Sequence, residues 1–118
     1  MSDHLCVVEK KTKFSADCSR GTVVVECDLK AAGDGGFGES FTLLQSLAAK
    51  QLALAYAASR GMSSPSLNGM SSSPYPVNAE DTPLDAVKDA DGEPLPSNHE
   101  KMQPAKYRID VDVAGRAF

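Results

Sequence analysis

The string Gly33-Asp34-Gly35-Gly36-Phe37-Gly38 satisfies G-x-G-x-x-G and falls between a predicted strand and a predicted helix. In that setting, backbone amides at a helix N-terminus can hold a phosphate or another anion. Gly33, Gly35, Gly36 and Gly38 are therefore candidate ligand-binding residues, with Lys11, Lys13, Arg20 and Arg60 as charge partners. The ligand class this implies is an anionic small molecule such as a nucleotide. A dinucleotide fold is not implied. The preceding strand belongs to a hairpin, and no acidic residue ends a second strand about 20 residues on. Glu39 at the helix start would also repel an anion. The plainer reading is a loop whose glycines supply positive φ.

Other chemistry is thinly supplied. Cys6, Cys18 and Cys27 are twelve and nine residues apart, not the two to four of a zinc knuckle. An odd number of cysteines cannot all be bridged within one chain, and inert strand thiols are the simplest expectation. Asp110-x-Asp112 puts two carboxylates on one strand face, which could take a hard cation. Alternating acids are also how an amphipathic strand shows its wet side, and Lys106 and Arg108 share that face. His4 and His99 lie near a terminus and in an irregular stretch, and no Gly-x-Ser-x-Gly elbow occurs. A nucleophile needs a base held by a third group. No catalytic residue, metal site or cofactor is predicted, and the chain reads as a non-enzyme.

The bulk properties agree. The chain has 118 residues, 12 basic and 16 acidic side chains and a formal charge of −4. One domain is expected. Nucleic acid is not expected as a partner, because no broad basic surface is supplied. The span from Phe41 to Ala58 is broken by Gln45, Ser46, Lys50 and Gln51, so no membrane helix is expected. The opening Met1-Ser2-Asp3-His4 does not read as a secretory leader, which favours a cytoplasmic protein.

These residues need a scaffold. From Leu5 to Cys18 the even positions Cys6, Val8, Thr12, Phe14 and Ala16 are mostly apolar, and Lys10 breaks the pattern. Ser19-Arg20-Gly21 reads as a turn. Thr22 to Lys30 alternates again, with Val23, Val25, Cys27 and Leu29 on one side. The period of two predicts an antiparallel hairpin. Tyr107, Ile109, Val111 and Val113 predict a C-terminal strand. Between them, residues 62–104 hold all seven prolines, many serines and seven acids against two lysines. That segment reads as a largely irregular, acidic insert. It should contain one short helix at about 83–90, with Thr82 as its N-cap and Pro83 at its first position.

The remaining element is a helix from Glu39 or Ser40 to Ser59, closed by Arg60-Gly61. At 100° per residue its large apolar side chains cover roughly 220° of arc, whereas a helix on one sheet needs about 100°. Two sides of this helix therefore call for cover. The oligomer interface predicted from this comprises Leu43, Leu47, Leu54, Ala49, Ala53 and Ala57. An open sheet edge would add a pairing site. The whole is expected to be a single α+β domain over residues 1–118. It has an antiparallel sheet, one long helix and a Pro/Ser-rich connection. The leading expectation is a small intracellular binding or interaction protein acting as a homo-oligomer. The alternative is a module for an anionic ligand.

Overall fold

The computed structural model describes residues 5–28, 37–69, 71–93, 95–96 and 98–116. It is α+β. Six strands form one curled antiparallel sheet: β1 (Leu5–Val7), β2 (Lys13–Phe14), β3 (Arg20–Asp28), β4 (Ser63–Leu67), β5 (Tyr75–Asn78) and β6 (Pro104–Arg116). Two helices, α1 (Phe37–Gln45) and α2 (Leu47–Ser59), pack on one face. β3 and β6 are the spine, paired from Arg20↔Ala114 to Asp28↔Lys106. β1 and β2 flank β3, and β4 and β5 divide the far side of β6 between them.

The core follows from alternation. Val23, Val25 and Cys27 on β3 and Ile109, Val111 and Val113 on β6 point to the helices, and all six are buried. α2 lays Ala49, Ala53 and Ala57 on them at helical spacing, each fully buried. Small residues on that stripe let the helix backbone approach the valines closely. Leu43, Leu52, Leu54 and Tyr56 pack half-buried at the flanks.

Five expectations change. The single long helix is two helices. Ser46 takes an extended conformation (φ −74°, ψ 163°), and its hydroxyl and N–H both donate to the Leu43 carbonyl, at 2.6 and 3.1 Å. A serine can offer the backbone this alternative to a helical bond. The break resets the angular count, so the apolar arc read across it is not one continuous surface. Ala49, Ala53 and Ala57 turn inward, which removes them from any surface a partner could reach. α2 does end as expected. Gly61 sits at φ +106°, with Gly61 N–H on the Ala58 carbonyl and Met62 N–H on the Ala57 carbonyl, a Schellman closure.

The first strand is likewise interrupted. A 3₁₀ turn over Glu9–Lys11 separates β1 from β2, and Lys10, which breaks the alternation, lies in it. The hairpin reverses one step earlier than expected. Cys18 carries the positive φ of 58°, while Arg20 and Gly21 belong to β3. Gly21 is needed for space: a Cβ there would run into the Phe14 ring and lie 2.9 Å from the Lys13 carbonyl oxygen.

The insert is more ordered than its composition implies. β4 and β5 form within it, although each contains a proline. Strands with one free side can carry proline, because β6 supplies the ladder on the other. The prolines of β4 and β5 and the shortness of β1 and β2 blunt the sheet edges formed by the described strands, which disfavours edge-to-edge pairing. The short helix is reduced to a 3₁₀ turn, Leu84–Ala86, with Pro83 at its N-cap and Val87 extended after it. Among the described residues no helix is long and apolar enough to cross a membrane.

Candidate functional site

The same alternation that fills the core fills the other sheet face with chemistry. Opposite the valines, β3 presents Thr22 and Glu26, and β6 presents Lys106, Arg108, Asp110 and Asp112. The register sets Glu26 beside Arg108 and Thr22 beside Asp112. Thr22 Oγ1 donates to Asp112 Oδ1 at 2.9 Å. β5 adds Tyr75 beside Arg108, and its hydroxyl donates to Asp110 Oδ1 at 2.7 Å. Burial, then the Asp110 carboxylate, pushes the Tyr75 hydroxyl above its ordinary pKa. Both strand carboxylates are thus engaged by hydroxyls. Among the described residues no cluster of three metal-ligating side chains forms.

At the Lys106 end a charged cluster assembles. Arg108, 2% exposed, donates through Nε to Glu26 at 3.2 Å and through Nη2 to Asp81 at 2.8 Å. Lys106 Nζ lies 2.7 Å from Asp81 and 3.5 Å from Glu26. Lys10, from the 3₁₀ turn, also pairs with Asp81. Hydrogen bonds from Lys10 and then Lys106 hold the Asp81 carboxyl far below the usual aspartate range. The same contact raises Lys106. Cys6 Sγ donates to Glu26 at 3.6 Å, and burial followed by the Glu26 charge pushes this thiol up, away from a reactive thiolate.

Asp81 arrives from outside the sheet. Asn78, 2% exposed, shapes its turn: Oδ1 accepts from the Glu80 and Thr82 N–H groups, each at 2.9 Å, and Nδ2 donates to the Lys101 carbonyl. The turn sets Asp81 at φ +69°, a conformation that aspartate tolerates better than most residues.

The ligand residues expected from the sequence are scattered. Gly33, Gly35 and Gly36 lie outside the described residues, and Gly38 falls in the first turn of α1. Lys11 is exposed in the 3₁₀ turn, and Arg60 caps the C-terminus of α2, where its carbonyl accepts from Cys18 Sγ at 3.9 Å. Lys13 and Arg20 do meet. They line an open hollow of about 390 Å³ with Ser15, Thr22, Asn68 and Asp112. Beside it, in the hairpin turn, Asp17 accepts from the Ser19 hydroxyl, the Ser19 N–H and the Ser15 hydroxyl. Those bonds lower its pKa to about 2.

On the helix side, Leu47 is 67% exposed and Leu67 41% exposed, the large apolar side chains left most in solvent among the described residues. Leu67, Gln45, Lys50 and Ile109 line a groove of about 570 Å³ at the helix break. Leu43 and Leu54 are half-buried against the core.

Sequence reasoning did not reach Asp81 and Glu26 as the partners of Arg108, nor Lys10 as a second cation on Asp81. Two signals were present: Lys106 and Arg108 share a face, and Lys10 violates the strand parity. Compared with known protein families, with curated proteins and with solved structures, the chain matches none.

Proposed function

We propose that this chain is a small, intracellular, non-enzymatic binding protein that associates with further copies of itself through the helix junction. The observation that carries the reading is the exposure of Leu47, at the start of α2, and of Leu67, which lines a groove with Ile109. Burying a leucine of this kind is worth about 1.5–3 kcal/mol before ordering costs. Light scattering after size exclusion at tens of micromolar is the test. The native chain elutes as an oligomer, and Leu47→Asp with Leu67→Asp reduces it to the monomer. A native chain that is monomeric throughout contradicts the reading.

A second reading has its own support. Lys13 and Arg20 share one open hollow, as a module for an anionic ligand requires. A thermal-shift panel of nucleotides tests it: a stabilisation that Lys13→Gln with Arg20→Gln abolishes favours the module, and no shift with any nucleotide discards it.

A further inference from the structure

We infer that the cluster around Arg108 is a binding site for a phosphate-class oxyanion, which Asp81 occupies in this conformation as an internal stand-in. Lys10, Lys106 and Arg108 come from two distant parts of the chain and converge on one carboxylate. That carboxylate is not a sheet residue. It is brought in by the turn that Asn78 builds, at a backbone conformation few side chains adopt.

Depth matters next. The Arg108 side chain is 3% exposed, while Asp81 keeps 25%, so the occupant lies on the solvent side of the guanidinium. A buried guanidinium left with half its partners is costly, so whatever displaces Asp81 must carry negative charge. With Asp81 swung out, Lys106 and Arg108 keep Glu26 while Lys10 loses the carboxylate it pairs with, so the vacated position calls for another anion. A planar guanidinium flanked by two ammonium groups also suits the several acceptor oxygens of a phosphate.

This site does not depend on self-association. It is also distinct from the Lys13–Arg20 hollow, because Arg20 and Glu26 are six positions apart, about 20 Å along β3.

Isothermal titration of the full chain with inorganic phosphate at low ionic strength tests the inference. Asp81→Asn removes the internal anion. Asp81→Gly does the same with a residue at ease at positive φ, so the fold survives even where asparagine disturbs it. Either variant, shown folded by its thermal melt, binds phosphate at least tenfold more tightly than the native chain. Adding Lys10→Gln and Lys106→Gln returns the affinity to the native level, whereas adding Lys13→Gln and Arg20→Gln leaves the gain intact. Adenosine monophosphate titrated alongside distinguishes the sources: tighter binding than phosphate assigns a phosphomonoester, weaker binding the free anion. The inference is overturned if removing Asp81 leaves phosphate affinity unchanged, or if the gain survives loss of both lysines.

Discussion

The two faces of this sheet are built from the same strands and held by opposite physics. On the helix face, Val23, Val25, Val111 and Val113 meet a stripe of alanines with nothing exposed. Contact there is short-range and indifferent to pH. On the other face, Glu26, Arg108, Lys106 and Asp81 are held by directed, charge-assisted bonds that depend on protonation. Dispersion and burial tolerate a serine break in the helix because each half can repack on the sheet. The charged face has no such latitude, since Arg108 keeps both partners only while the Asn78 turn holds its shape.

That contrast can be broken from the apolar side. Leu44 is fully buried on α1, so Leu44→Ala removes its transfer energy and leaves a cavity, costing about 2–5 kcal/mol. Urea unfolding should show this loss equally at pH 7 and pH 4. A loss that changes with pH would mean that the two faces are coupled. A smaller effect of opposite sign sharpens the comparison. The Ser40 hydroxyl is fully buried and makes no hydrogen bond. Ser40→Ala relieves that desolvation and should stabilise the fold by about 1 kcal/mol. A destabilised variant would show that the hydroxyl has a partner in solution.

The legible part of the fold was the part that pattern alone determines. β3 and β6 alternate through most of their length, with Val24 the exception on β3, because one of their faces is dry, and both were visible, as was the glycine stop after Arg60. The helix break was not. Ser46 is one polar residue in an apolar run, and only packing on a curled sheet decides between a continuous rod and two shorter pieces. β4 and β5 were hidden by Pro65 and Pro76, which oppose strand formation until β6 provides a partner. The charged cluster was half legible. Its β6 cations stood on one strand face, but Asp81 is 27 residues from Arg108, within a segment whose scattered acids look alike. Nothing local marks one aspartate as the anchor.

The division of labour between the faces is tested most directly by the pH dependence of unfolding in the native chain and in Asp81→Asn. Asp81 has a folded pKa below its unfolded one. Its stabilisation is therefore complete above the ordinary aspartate range and drains away as pH falls below about 4. The native chain should be the more stable at pH 7, by on the order of 1 kcal/mol, with the two curves converging as the solution is acidified. Parallel curves from pH 7 to pH 2.5 would contradict the account, because Asp81 would then contribute nothing through its charge.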